Sequence, residues 1–241
     1  MITNTESATD VAEIAEGIYR INTPVPPGVI PGGFSFNQYL IVDEEPLLFH
    51  TGMRRMFPLI SQAIEKVIPL RSLRYIGFSH VEADECGALN EFLAQAPNAQ
   101  PVCSKIAAMT SINDMSDRSP RVLMDNETLN LGKHLVRWFD TPHLPHGWES
   151  GLMYDELTRT LLCGDLFTQP GIGLEAVTEC DIFAPSEKLR QGMNYFSGAK
   201  ANVDSLKRLA EVRPSTLACM HGSAWSGDCA ALLLELASAL N

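Results

Sequence analysis

His80-Val81-Glu82-Ala83-Asp84 follows an apolar run, Leu73 to Phe78, that reads as a β-strand. Residues two apart on an extended chain share a face. The imidazole of His80 and the carboxylates of Glu82 and Asp84 are therefore expected to converge as the strand runs out into a loop. All three are metal-ligand types. A histidine with acids at the second and fourth following positions nevertheless arises by chance in roughly one chain of this composition in ten, so the motif needs company.

Three further strand-like runs end in residues of the same kind. Thr160 to Cys163 runs into Gly164-Asp165, and Thr216 to Met220 into His221-Gly222. Leu135 to Phe139 leads to Thr141-Pro142-His143-Leu144-Pro145-His146-Gly147. Layered α/β folds build sites from such strand-end loops, and four ligand-bearing loops in one chain are hard to obtain by accident.

The remaining pattern agrees. Short strands are expected at Gly17 to Asn22, Asn37 to Val42, Pro46 to Phe49 and Pro101 to Ser104. Leu59, Ile60, Ile64 and Val67 have helical spacing between Phe57 and Val67, and Pro69 closes that helix. A second helix carries Ala88, Leu89, Phe92 and Leu93 on one face. Lys105 to Asn113 reads as a short helix, Val203 to Glu211 and Ala224 to Leu240 as longer ones. Glu175 to Phe196, acidic and aromatic, is expected to be loop plus short helix. Strand–helix units in both halves predict a layered α/β protein, helices outside and sheets inside.

The 29 acidic and 18 basic residues give a net charge of −11. No Lys/Arg-rich run supplies the basic face a nucleic-acid binder needs; Arg54-Arg55 is the largest local cluster. Six cysteines lie without any C-x-x-C pair, which argues against an iron–sulfur cluster, zinc ribbon or rubredoxin. Cys86 inside the motif reads as a packing residue. The polar, acidic first residues do not resemble a signal peptide, and Ala230 to Leu240 is too short to span a bilayer. The expectation is one cytoplasmic domain over residues 1–241, with no membrane or nucleic-acid partner and no flavodoxin or rubredoxin module.

The order His80-x-Glu82-x-Asp84, the Thr-Pro…His loop, Gly164-Asp165 and His221-Gly222 resembles the metallo-β-lactamase superfamily over nearly the whole chain. That resemblance implies an αβ/βα four-layer sandwich. Hydrolases of the superfamily carry His-x-His-x-Asp-His at the first motif; here Glu82 stands at the second histidine and Glu85 at the last. The pattern is similar to the diiron domain of flavodiiron proteins and of stand-alone oxygen-binding diiron proteins, and Phe36-Asn37-Gln38-Tyr39-Leu40-Ile41-Val42 resembles their second strand. The resemblance implies that His80, Glu82 and His146 hold one metal, Asp84 and His221 the other, and Asp165 bridges them. Three imidazoles with three carboxylates suit iron better than a zinc pair, with manganese or zinc as alternatives, and two ions can clamp a diatomic ligand or an oxo or hydroxo bridge.

The third histidine is less sharply specified, because both His143 and His146 fall near the slot. His146 is preferred, since Gly147-Trp148 after it resembles the residues after the flavodiiron ligand; His143 then lines the pocket or bonds a ligand from behind. His50, in Phe49-His50-Thr51-Gly52, is a pocket or ligand-supporting candidate, with a structural histidine as the alternative. Glu85 either stands beside the metals, leaving water in that coordination position, or serves as an acid at a helix start. His134, after Gly132-Lys133, is expected to be exposed. Three functions follow: reduction of O2 or NO with a separate electron donor, reversible O2 binding as a sensor or carrier read by a signalling partner, or hydrolysis of an ester, thioester, lactone or phosphodiester. A homodimer is expected by analogy with relatives.

Overall fold

Alternation along the strands decides which layer each side chain joins. The computed structural model describes residues 1–240. One sheet runs in chain order through β1 (Ile2–Asn4), β2 (Thr9–Ala15), β3 (Ile18–Val25), β4 (Phe34–Ile41), β5 (Leu47–Phe49), β6 (Tyr75–Gly77), β7 (Gln100–Ser104) and β8 (Arg121–Leu123). The other contains β9 (Thr128–Asn130), β10 (Leu135–Asp140), β11 (Gly151–Asp155), β12 (Thr160–Leu162), β13 (Val177–Thr178), β14 (Thr216–Ala218) and β15 (Ala224–Ser226), in the spatial order β13-β15-β14-β12-β11-β10-β9.

Tyr39, Ile41, Leu47 and Phe49 of the first sheet meet Val136, Trp138, Met153 and Leu162 of the second in a core between the sheets. Their neighbours Leu40, Leu48 and Ile76 point the other way, under α1 (Phe57–Ile64) and α3 (Leu89–Gln95), against Ile60, Phe92 and Leu93. On the outer face of the second sheet, Leu161 and Leu217 meet Leu206, Leu209, Leu233 and Leu236. Those last four belong to α7 (Ala201–Glu211) and α8 (Cys229–Ala239). The result is the four-layer αβ/βα sandwich that the resemblance implied. The other helices are α2 (Ala83–Cys86), α4 (Lys105–Ala107) and α5 (Asn113–Met115), the last two flanking a π turn, and α6 (Phe183–Met193). Among the described residues no helix is long and apolar enough to cross a membrane.

Several expectations need correction. The last helix begins at Cys229, not Ala224. Ala224–Ser226 pairs with both β13 and β14, and Asp228 then accepts the Ala231 N–H at 3.0 Å as the cap. The segment from Glu175 to Phe196 holds a short strand and an 11-residue helix, α6, longer than expected. Asp181 Oδ1 accepts the N–H groups of Phe183 and Ala184 at its start, and Asn194, at φ 51°, ends it. The strands β1, β2, β8, β9 and β11 were not expected. His134 is not exposed. At 3% accessibility its ring Nδ1 lies 3.0 Å from Asp155 Oδ1, while its backbone N–H donates to Asp43 Oδ2 at 2.6 Å, tying the first sheet to the second.

Candidate metal centre

The parallel pairing of β12 with β14 sets the first two site residues in register. Leu162 lies opposite Ala218, and Asp165 and His221 each stand three residues beyond that rung. Gly164 makes the turn from β12 into Asp165 possible: it has φ 52°, and a Cβ there would lie 3.0 Å from Ser79. His221 is held from the other sheet. Its Nδ1 lies 2.8 Å from the Ser35 carbonyl, and its ring sits against Phe34 and Phe36. Asn37 Nδ2 donates to the carbonyls of Cys219 and Gly222, and Tyr39 donates to that of Cys219.

The motif after β6 converges differently from expectation. His80 and Glu82 lie in the loop, and Asp84 is in the first turn of α2, so helix winding, not strand alternation, brings its carboxylate round. Two clusters result. His80, Glu82, His146 and Asp165 offer ligand atoms within 4.8 Å of one another, as do Asp84, Glu85 and His221. His146 Nε2 lies 3.0 Å from both His80 Nε2 and Glu82 Oε1. Asp165 faces both clusters: Oδ2 is 3.7 Å from the Nε2 atoms of His80 and His146, and Oδ1 is 3.3 Å from His221 Nε2. His221 Nε2 is 3.6 Å from Asp84.

Hydrogen bonds behind the rings fix their tautomers. His146 Nδ1 meets the Tyr195 carbonyl at 3.1 Å, and His221 Nδ1 meets that of Ser35, so each Nδ1 carries the proton and each Nε2 presents a lone pair. For His80 the backing runs through Ser79. His50 Nε2 accepts the Ser79 N–H at 3.3 Å and stands 3.0 Å from Ser79 Oγ, which is 2.9 Å from His80 Nδ1. His50 therefore accepts, Ser79 relays, and His80 Nε2 is left free for the cluster. Burial, and then the nearby His80, pull His50 down to about 3, so it stays neutral.

Hydrogen bonds with His146 and then His80 lower Glu82 to about 2. Burial pushes Asp165 up, but His221 and the other two rings outweigh it and hold it low. Burial likewise lowers His146 and His221, yet Glu82 and Asp165 leave both raised. Facing ring nitrogens, and buried carboxylate oxygens of Asp165 and Glu85 with no hydrogen-bond partner among the described residues, are what a pair of cations would satisfy. The donor set fits two ions of the iron or manganese type.

A model described as ODP family beta lactamase matches residues 34–222. The chain belongs to that family. Among curated proteins, an anaerobic nitric oxide reductase flavorubredoxin of Pectobacterium atrosepticum is 26% identical over 212 residues, 83% of this chain and 41% of that protein. A rubredoxin-oxygen oxidoreductase of Megalodesulfovibrio gigas is 29% identical over 141 residues, 58% of this chain and 35% of that one. The chain spans about a third of the length of the curated relatives it matches. Among solved structures, a metal-soaked flavodiiron core from Synechocystis superposes with a TM-score of 0.83 at 22% identity, over 96% of this chain and 60% of that one. The flavodiiron protein of Giardia intestinalis gives 0.81 at 21%, over 96% and 59%. These structures share the fold.

In this ODP-family chain the two histidines of the Thr141 to Gly147 loop part company. His146 joins the first cluster, whereas His143 is exposed, turned away at φ 68°, its carbonyl accepting from Ser197 Oγ at 2.6 Å. Cys86 Sγ donates to the Glu82 carbonyl at 3.3 Å and is buried, in line with a packing role. A cavity of about 320 Å³ opens over the clusters, walled by Ile30, Phe34, Phe36, Met53, Met193 and Tyr195. Sequence reading missed most of these walls. It also missed Glu149, whose Oε1 accepts the Val81 N–H at 3.0 Å, and Gln169, which brackets Ser223 behind the His221 loop. Ser79 was legible by adjacency to His80; Met193 and Tyr195, at the end of α6, carried no signal.

Proposed function

We propose that this chain holds two iron ions and binds O2 or NO at them. His80, Glu82 and His146 would hold one ion, Asp84 and His221 the other, with Asp165 bridging. The observation that carries the proposal is the placement of Asp165, with one oxygen toward the His80–His146 pair and the other toward His221. Bound as a pair, the ions would supply redox electrons and open coordination positions for a diatomic ligand. Similarity to a protein named for oxygen and another named for nitric oxide supports that ligand class.

The chain's own residues do the rest. Three imidazoles held from behind present Nε2 lone pairs without rearrangement. Phe34, Phe36, Met53 and Met193 make the approach apolar, which suits an uncharged diatomic and disfavours a charged ester or phosphodiester. A sensor or carrier needs no electron supply, whereas a reductase would take electrons from a donor protein.

The test is metal analysis of anaerobically purified protein, followed by an optical spectrum on adding O2 and, separately, NO. Two irons per chain and a new visible band are expected. Persistence of the band without added reductant would indicate binding; its decay and renewal on feeding electrons would indicate turnover. Two zincs per chain with hydrolysis of a generic ester or phosphodiester would overturn the proposal.

A further inference from the structure

Two of the apolar side chains that wall the cavity over the clusters, Met53 and Met193, carry thioethers. Both stand at its solvent side. Met53 is 37% exposed and Met193 65%, whereas Asp165 and His221 at the floor are buried. Met53 immediately precedes the turn Arg54–Met56, and Met193 is the last residue of α6, so distant parts of the chain bring sulfur to one opening. Leucine would fill a similar volume at either position. What sets the thioether apart from the Ile30, Phe34 and Phe36 walls is that it readily takes up an oxygen atom, becoming a polar, chiral sulfoxide.

We propose that Met53 and Met193 are oxidation sites of the metal centre itself, converted to sulfoxides by O2 that is reduced within the cavity. The proposal rests on the two-iron reading above and goes beyond it. In the step the O–O bond breaks; one oxygen atom forms an S=O bond with the thioether, and the other leaves as water. Oxygen gains four electrons, two from sulfur and two from the pair of Fe(II), which become Fe(III). Two protons from solvent complete the water. The sulfoxide oxygen accepts hydrogen bonds from water, so an apolar entrance becomes a hydrated one and the passage of an uncharged diatomic slows. Met193 also lies two residues before Tyr195, whose carbonyl holds His146 Nδ1 at 3.1 Å. Sulfoxides are reduced enzymatically, and both sites are open to solvent, so the mark is reversible. The chain would thereby register exposure to oxygen after the gas itself has gone.

Other methionines supply the control. Met109 is as exposed as Met193, at 65%, and Met115 at 50% and Met124 at 54% exceed Met53, yet none of the three walls the cavity. Protein loaded anaerobically with Fe(II) is exposed to isotopically labelled O2, with catalase present to remove peroxide that escapes, and peptide mass spectrometry follows the label at each methionine. Met53 and Met193 should gain labelled oxygen about fivefold faster, or more, than Met109, Met115 and Met124. Dilute peroxide added to metal-free protein should instead oxidise Met193 and Met109 at rates within about twofold of each other, since exposure alone then decides. Oxidised wild type, once its iron is reduced again, should bind NO about twofold more slowly, or worse, than before oxidation. Treatment with methionine sulfoxide reductases should restore the rate. In the double variant Met53→Leu, Met193→Leu the same oxidation should leave the rate of NO binding where it began.

Equal labelling of Met193 and Met109 in the iron-loaded protein, or a bias of the same size in metal-free protein, would overturn the proposal. So would an NO binding rate that does not change when Met53 and Met193 are fully oxidised. If two irons and the visible band with O2 are found without preferential labelling, the two-iron reading stands and this proposal falls; absence of the two irons would overturn both.

Discussion

Replacing Asp165 by Asn tests the bridging arrangement with the least disturbance of shape. The carboxylate turns one oxygen toward His221, at 3.3 Å, and the other toward His80 and His146, at 3.7 Å from each. An amide has one oxygen and one NH2 group, and the latter cannot ligate. Whichever way the amide turns, only one cluster keeps an oxygen ligand, so the stoichiometry should fall from two ions to one. The retained ion also loses a negative charge beside it. Losing a mere supporting partner of a metal ligand typically costs 10–100-fold in affinity; losing a shared ligand should reach the upper end, about 100-fold, or roughly 2.7 kcal/mol. Anaerobic Fe(II) titration of metal-free protein, with bound metal counted after dialysis, measures both quantities. Asp165→Asn that binds two irons with wild-type affinity would refute the bridging role of Asp165.

Three further outcomes are expected. Ser79→Ala breaks the relay from His50 to His80 and should weaken Fe(II) binding about 10–100-fold while leaving the fold intact by circular dichroism; unchanged affinity would remove Ser79 from the site's support. Phe92→Ala empties a fully buried ring that packs edge-on against Phe57 at 4.8 Å, and should cost about 3–5 kcal/mol in denaturant melts. Chiefly through its bond to Asp155, the His134 value is raised in the folded state, so His134 stabilises fully below its unfolded value near 6.5 and loses that contribution as pH rises through the folded value. Burial raises Asp155, but bonds from His134 and Thr158 prevail and lower it, so its contribution holds above about 3.9 and is lost as pH falls through the lowered value. The melting-temperature difference between wild type and His134→Gln should therefore peak between about pH 4 and 6.5 and shrink on both sides; a flat difference would show that the pair does not titrate with folding.

His80, Glu82, Asp84, Asp165 and His221 were legible because the chain places each just after a strand, and a strand end is a local property that periodicity reveals. The same locality exposed the alternating core of β4, β5, β10 and β14 and the helical spacing of α1 and α3. Glu82 was the residue that pointed toward the proposed chemistry, because it sets an oxygen donor where hydrolases of the superfamily carry a nitrogen donor. His134 was misread for a related reason: Gly132 and Lys133 do mark a turn, but burial depends on Asp155 and Asp43, 21 and 91 residues away.

Only the tertiary structure could separate His146 from His143, since both lie in one loop and the difference is which ring faces His80. Only it could show that Asp84 reaches the site by helix winding, or that Glu85 is buried without partners. The tautomers of His146 and His221 likewise depend on carbonyls of Tyr195 and Ser35, 49 and 186 residues distant. Local sequence fixes the kind of ligand and its place on a strand end, because propensity and periodicity act over a few residues. Which lone pair points inward, and which carboxylate is stranded from water, depends on contacts that only the closed sandwich creates.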